Sequence, residues 1–138
     1  MRVALRLLML LLCCFAGCAS SQVPAVGTWQ ATMNNLPAVT LVVADDHGKL
    51  DGDIIFHFQQ KDSEGWKVTR ENKEPLINPT FSGQRLSFEV SHERAHPGES
   101  GPADPLVKYE MVLTGRDEAK LKSTNYGVDT ETPMKRTK

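Results

Sequence analysis

The sequence predicts an all-β protein, an antiparallel meander of about seven to eight strands that closes, or nearly closes, into a barrel. Hydrophobic and polar residues alternate through most of the chain after residue 26, and turn-forming residues interrupt this alternation at short intervals. No stretch of that region shows the hydrophobic period of an amphipathic helix. A two-sheet β-sandwich would produce the same alternation, and it stays open as the alternative architecture.

Turn signals separate the first four predicted strands. They are Asn-Asn at residues 34–35, Asp-Asp-His-Gly at residues 45–48 and the polar stretch at residues 61–65. The clearest amphipathic strand lies between the second and third of these turns. Its apolar side is predicted to consist of Leu50, Ile54, Phe56 and Phe58.

The second half of the chain continues the alternation after an interruption. Residues 74–79 contain two prolines, which cannot donate to a central β-ladder, so this segment is predicted to be irregular. Residues 91–105 are predicted to form a long loop between two clean strands. A last strand ends near Ser123, and the polar residues beyond it are predicted to fray. The apolar positions of these strands are Phe81, Leu86, Phe88, Val90, Val107, Tyr109, Met111, Leu113, Ala119 and Leu121.

The opening of the first strand resembles known barrels. Gly27-Thr28-Trp29 is similar to the Gly-x-Trp start of lipocalin- and avidin-type barrels and to the opening of small bacterial β-domains. Thr124-Asn125-Tyr126 resembles the second lipocalin motif, although it stands after the last predicted strand. The resemblance implies a small lipocalin-like, or calycin-like, domain, but without the C-terminal helix of lipocalins.

The N-terminus has the order of a secretory signal. Arg2 and Arg6 flank the start of an apolar run, and the small residues Ala16 and Gly17 stand directly before Cys18. The apolar run is shorter than the roughly 20 residues that a transmembrane helix needs. We therefore predict export of the chain rather than a membrane-spanning segment.

Phe15-Ala16-Gly17-Cys18 resembles the lipobox of bacterial lipoproteins, in which Leu is usual at the first position. The resemblance implies cleavage before Cys18, acylation of its thiol and anchoring to a membrane. Because Ala19 rather than Asp follows the cysteine, it also implies the outer membrane, facing the periplasm, in a cell with two membranes. The alternative is ordinary cleavage after Ala19, which would release a soluble exported protein.

These features divide the chain into four predicted parts: signal peptide 1–17, lipidated tether 18–26, β-barrel domain 27–123 and polar C-terminal tail 124–138. The 16 basic and 17 acidic residues nearly cancel, which indicates no general affinity for nucleic acid. Since all three cysteines lie in the signal or at its end, the barrel is predicted to have no disulfide. Its stability should come from the hydrophobic core.

The histidines do not indicate a metal or catalytic site. His92 and His96 have the spacing of ligands on one helix face, and Glu93 and Asp104 could complete a metal site, but no helical pattern surrounds them, so a solvated loop is favoured. His57 shares a strand face with an aspartate four residues before it, yet an extended chain separates the two by about 13 Å.

No motif for nucleophilic catalysis or phosphate binding is present. We therefore predict a non-enzymatic protein without metal or cofactor.

The predicted barrel interior is bulky and apolar, so it either fills itself or leaves a cavity for a hydrophobic molecule. The candidate ligand contacts are Trp29, Phe56, Phe58, Phe88 and Tyr109. Trp29 is expected to plug the core rather than to touch ligand. The sequence thus favours a lipid-anchored envelope protein that binds a hydrophobic small molecule or an envelope protein. The alternative is a structural or interaction domain with a filled core and no ligand.

Overall fold

A computed structural model describes residues 22–92, 105–125 and 127–137. They form one antiparallel sheet whose strands neighbour each other in the order β4-β3-β2-β1-β9-β8-β7-β6-β5. None of the described residues belongs to a helix that is long and apolar enough to span a membrane. The strands are β1 (Gly27–Met33), β2 (Leu36–Asp46), β3 (Lys49–Asp62), β4 (Gly65–Pro75), β5 (Ile77–Ser82), β6 (Arg85–Val90), β7 (Val107–Leu113), β8 (Glu118–Asn125) and β9 (Val128–Arg136).

The sheet curls into a nearly closed barrel because its two edge strands are consecutive in sequence. Only Leu76 separates β4, which pairs with β3, from β5, which pairs with β6. The Leu76 amide donates to the carbonyl oxygen of Gly52 in β3 at 2.9 Å, and the Leu76 side chain is buried. The segment β4–β5 therefore behaves as one bent strand that joins both edges. The predicted all-β meander and nearly closed barrel are confirmed.

The prediction that residues 74–79 are irregular is wrong for most of this segment. β4 continues through Pro75, and β5 contains Pro79. Both prolines lie in edge strands, where a missing N–H removes no ladder hydrogen bond. The register shift between Ile77 and Thr80, together with the positive φ of 50° at Asn78, absorbs the local irregularity.

The predicted polar tail is also wrong, because most of it forms β9. This strand pairs with β8 along its length and with β1 at Trp29↔Arg136 and Gln30↔Lys135. It therefore joins the first half of the barrel to the second. The alternation is weak in β9 because the two inward positions that precede the buried Met134 are Thr130 and Thr132.

The predicted tether at residues 18–26 is too long. Val23 and Val26 pack against the core, and Ala25 is fully buried. The indole N–H of Trp29 donates to the Ala25 carbonyl oxygen at 2.9 Å, because a buried indole needs an acceptor. The folded domain therefore begins by residue 23. Cys18 and residues 19–21 lie outside the described residues.

The connections alternate between two ends of the barrel. The base holds residues 23–26, the β2–β3, β5–β6 and β7–β8 turns and the end of β9. Backbone hydrogen bonds tie these turns to neighbouring strands, as between the Arg136 amide and the Asp117 carbonyl. The mouth holds the β1–β2 and β3–β4 turns, the ends of β6 and β8 and the starts of β7 and β9. The largest fully buried side chains are Trp29, Leu41, Ile54, Leu86, Met111, Met134 and Val90.

Candidate ligand-binding site

Three of the five predicted ligand contacts meet near the mouth. Phe88 and Tyr109 are directly paired on β6 and β7, and their rings stack at a centroid distance of 5.5 Å and an interplanar angle of 8°. Phe56 lies 6.2 Å from Tyr109. Because β3 and β7 are not neighbours in the sheet, this contact crosses the barrel interior. Both distances fall in the range of favourable aromatic pairs.

His92 completes this cluster directly after the end of β6. Its ring centroid is 5.4 Å from that of Phe56, and its Nε2 lies 3.2 Å from the Tyr109 hydroxyl oxygen. Burial raises the pKa of Tyr109, because desolvation disfavours the phenolate. The neutral hydroxyl therefore offers one polar contact among the rings. We call Phe56, Phe88, His92 and Tyr109 the aromatic mouth.

The aromatic mouth is half-buried rather than filled. Phe88 is almost fully buried, whereas Phe56, His92 and Tyr109 keep part of their surface open to solvent. The predicted loop after β6 is confirmed for residues 91–92, which belong to no strand. The prediction that His92 is solvated is wrong, because its ring packs against two aromatic rings. His96, Glu93 and Asp104 lie outside the described residues. Within the part of the chain that the structure describes, no group of three or more His, Cys, Asp or Glu residues is placed to hold a metal ion.

A pair of hydroxyls stands beside the aromatic mouth. Ser123 is paired with Tyr109 across β7 and β8, and Thr130 is paired with Ser123 across β8 and β9. Directly paired residues lie on the same side of a sheet. The Ser123 and Thr130 hydroxyl oxygens are 2.6 Å apart. The interior at this level thus has an aromatic wall and a polar wall.

Trp29 lies at the base and offers no surface to a ligand. Its side chain is 0% exposed, and the Arg136 guanidinium lies 4.2 Å from its ring centroid. Arg136 also donates to the carbonyl oxygens of Pro24 and Val26. A Cβ on Gly27, whose φ is +133°, would lie 2.6 Å from Arg136 Nη1, so glycine is required there. The Gly-x-Trp opening therefore builds the base.

Phe58 lies at the mouth end of β3 but is not part of the aromatic mouth. Its side chain is 43% exposed and is covered by Arg70, whose guanidinium lies 4.2 Å from the ring centroid. Other large apolar side chains are exposed near the same end. The exposed large hydrophobic residues in the described ranges are Met33, Phe58, Trp66, Leu106 and Val128, all near mouth connections. All five therefore lie at the same end of the barrel as the aromatic mouth.

A groove of about 620 Å³ lies along β6 to β9, and its lining includes members of both walls of the candidate site, namely Phe88, Tyr109, Ser123 and Thr130. Charges of both signs also line it, and two of its acidic residues pair with basic residues that lie outside its lining. Lys120 Nζ lies 2.7 Å from Glu131 Oε1, and Arg85 Nη1 lies 3.2 Å from Glu110 Oε2. Such a solvated charge ladder favours solubility and gives no indication of a specific ligand.

Sequence reasoning missed His92, Ser123 and Thr130 as parts of the site. His92 continues the inward parity of Phe88 and Val90, and Ser123 continues that of Leu121. These residues could have been predicted by continuing the inward–outward alternation of each strand beyond its last apolar residue. A search limited to apolar positions leaves out the polar members of an interior wall.

The chain was compared with known protein families, with curated proteins and with solved structures, and no match was found to any of them. The candidate site therefore stands on its geometry.

Proposed function

We propose that this protein is a lipid-anchored protein of the cell envelope whose barrel mouth binds a hydrophobic small molecule. The observation that carries the proposal is the aromatic mouth, where four rings meet and three of them stay partly open. Burial of that apolar surface by a ligand would contribute about 25 cal/mol per Å². The ligand would therefore carry a ring or an acyl chain.

The polar groups around the mouth favour a ligand with one polar end. The Tyr109 hydroxyl and His92 Nε2 lie among the rings, and the Ser123–Thr130 pair lies next to them. An apolar site with a few fixed polar groups is typical of small-molecule binding. The base, in contrast, is filled by Trp29 and its neighbours. We therefore place the ligand at the mouth end of the interior only.

Binding is tested with the uncharged probe N-phenyl-1-naphthylamine, whose fluorescence rises in apolar surroundings. We expect Phe56→Ala to weaken binding about tenfold, which corresponds to about 1.4 kcal/mol. Phe81→Ala is the matched control, because Phe81 is also a half-buried phenylalanine packed on the core, but it lies beside the β5–β6 turn at the base. Phe81→Ala should leave the affinity unchanged in the folded protein.

Two results would contradict ligand binding at the mouth. One is the absence of any saturable fluorescence increase with the unmodified protein, which would favour the alternative of a structural or interaction domain with a filled core. The other is an equal loss of affinity in Phe56→Ala and Phe81→Ala, which would place the probe elsewhere.

The anchor is proposed on Cys18 and its lipobox-like context. Because folded structure begins by residue 23, four residues separate the acylated cysteine from the domain, and the five steps from residue 18 to residue 23 span at most about 18 Å. This tether joins the barrel at its base, so the mouth would point away from the membrane. Cys18→Ser should abolish lipid labelling and release the protein from membranes. Membrane association that persists after this change would contradict the anchor, and release by cleavage after Ala19 would appear as unlabelled soluble protein in the unmodified strain.

A further inference from the structure

A row of four polar side chains crosses the outward surface of β1 to β4. Gln30 is paired with Thr40 across β1 and β2, and His57 is paired with Glu71 across β3 and β4. Thr40 is opposite Ile55 in β3, so His57 lies diagonal to Thr40 on the same side of the sheet. Paired and diagonal neighbours lie within reach of one another's side chains. We call Gln30, Thr40, His57 and Glu71 the polar row.

The contacts in the polar row determine where its protons lie. Glu71 Oε1 is 2.9 Å from His57 Nδ1, and a carboxylate only accepts, so Nδ1 carries a hydrogen. In the neutral imidazole, Nε2 is then an acceptor. Thr40 Oγ1 lies 2.9 Å from His57 Nε2, so the Thr40 hydroxyl donates its hydrogen to the imidazole.

The central members of the polar row are shielded from water although they lie on the outward surface. The His57 side chain is 9% exposed, and Thr40 is also 9% exposed. Limited solvent strengthens electrostatic contacts and keeps the side chains in one geometry. His47 provides a contrast: it lies 2.6 Å from Asp46, but its side chain is 97% exposed.

A hydroxyl bonded to an imidazole, which is in turn held by a carboxylate, is the arrangement that activates a nucleophile for attack on acyl groups. We propose that the polar row is an acyl-transfer site for small activated esters. Thr40 is the nucleophile and His57 is the catalytic base, while Glu71 is a positioning residue that holds the imidazole. Because Thr40 is largely buried, the site accepts small acyl groups such as acetyl.

Gln30 links this site to a space for the rest of the substrate. Its Nε2 donates to Thr40 Oγ1 at 3.3 Å. Gln30 also lines a groove of about 520 Å³ that runs along the outward surface between β1 and the β8–β9 pair. An amide donor beside the nucleophile is suited to the oxyanion that forms during acyl transfer.

The reaction uses only the ester and water. Thr40 Oγ1 attacks the carbonyl carbon while its proton moves to His57 Nε2, and the oxyanion forms near Gln30. The bond to the leaving alkoxide or phenolate then breaks, and His57 returns the proton to that oxygen, which leaves an acyl-threonine ester. Water attacks this ester with His57 again as base, and the carboxylic acid and the free Thr40 hydroxyl are released.

The purified full-length protein is tested with p-nitrophenyl acetate. We expect a burst of p-nitrophenol release and one acetyl group on the peptide that contains Thr40, as read by mass spectrometry. Thr40→Val keeps the shape of the side chain and should abolish both. His57→Gln should slow the burst about a hundredfold, the usual contribution of a general base. Glu71→Gln should slow it at least about tenfold and shift its pH profile, since the imidazole loses its orienting carboxylate.

His47→Gln is the matched control, and it should leave the burst unchanged because His47 has no hydroxyl partner in the polar row. Thr40→Ser should retain the burst, because it keeps a hydroxyl at this position. A burst in Thr40→Ser but not in Thr40→Val would show that the reaction depends on the hydroxyl rather than on the fold. The absence of a burst in the unmodified protein would overturn the proposal. So would acetylation of His57 or a lysine in place of Thr40, or a burst of normal size in Thr40→Val. None of these results bears on ligand binding, because the polar row faces outward and the aromatic mouth faces the interior.

Discussion

The base and the mouth of the barrel are built from the same alternating strands, but they use their aromatic residues differently. At the base, Trp29 is completely buried, its indole N–H has an acceptor, and a guanidinium with three backbone carbonyl partners stacks on its ring. At the mouth, Tyr109 and Phe56 keep part of their surface open, and Arg70 stacks on a half-exposed ring. The difference indicates that stability is concentrated at the base, whereas aromatic surface at the mouth stays exposed and is available for binding.

The largest expected effect comes from the tryptophans, one at each end. Trp29→Ala should lower the free energy of unfolding by about 3–5 kcal/mol, because it leaves a cavity in a filled core. Trp66, which is 44% exposed near the mouth, should change stability by about 0.5 kcal/mol or less when replaced by alanine. Urea denaturation of the two variants measures both. Equal losses of unfolding free energy in the two variants would contradict the proposed difference between base and mouth.

A second pair of variants compares the two stacked arginines. Arg136→Met should lower the free energy of unfolding by about 2 kcal/mol, since the carbonyls of Pro24, Val26 and Arg116 lose a charged donor. Arg70→Met removes only an exposed cation–π contact, which contributes about 0.5–1 kcal/mol. Thermal unfolding, monitored by circular dichroism, shows which of the two variants is less stable. A larger loss in Arg70→Met would show that the mouth is the more stable end.

Tyr109 gives the mouth a pH dependence at alkaline pH. Burial raises the pKa of Tyr109 above its ordinary value of about 10, so the folded protein holds the phenolic proton more tightly than the unfolded chain does. The stability that comes from the neutral hydroxyl is complete below about pH 10 and is lost as the pH rises above it. Tyr109→Phe should therefore reduce the fall in unfolding free energy at alkaline pH. The difference between the two proteins, measured by urea denaturation at several alkaline pH values, isolates this residue, and identical pH profiles would contradict its burial.

The smallest expected effect concerns the hydroxyl pair at the mouth. Ser123→Ala should change the free energy of unfolding by about 0.5 kcal/mol or less, because Thr130 is exposed and water replaces the lost partner. If the ligand's polar end binds there, the same variant should weaken probe affinity only for polar derivatives of N-phenyl-1-naphthylamine. A large loss of stability would mean that this wall is part of the core.

Much of the fold was predictable because alternation reports burial directly. Leu86, Phe88 and Val90 alternate in sequence and are all buried in β6. β9 was missed because threonines occupy its central inward positions, so the contrast between its two sides is weak. The closure at Leu76 was hidden by flanking prolines, which argue against strands unless the strands lie at an edge.

The two sites differ in how much of them a sequence can reveal. Phe56, Phe88 and Tyr109 were predicted from parity, since each is a large residue on the inward side of its strand. The polar row was missed because its contacts depend on register between strands. An aspartate stands four residues before His57 on the same strand, but the carboxylate partner of His57 is Glu71 on the next strand. Cross-strand pairs of this kind become visible only when the pairing is known.

The central claim, that the mouth binds while the base stays filled, is tested most directly by nuclear magnetic resonance. The protein is titrated with N-phenyl-1-naphthylamine while the assigned side-chain signals of the aromatic residues are followed. We predict shifts for Phe56, Phe88 and Tyr109 and an unchanged indole signal for Trp29. A shift of the Trp29 signal with none at the mouth, or no shift of any aromatic signal at saturating probe, would contradict the account.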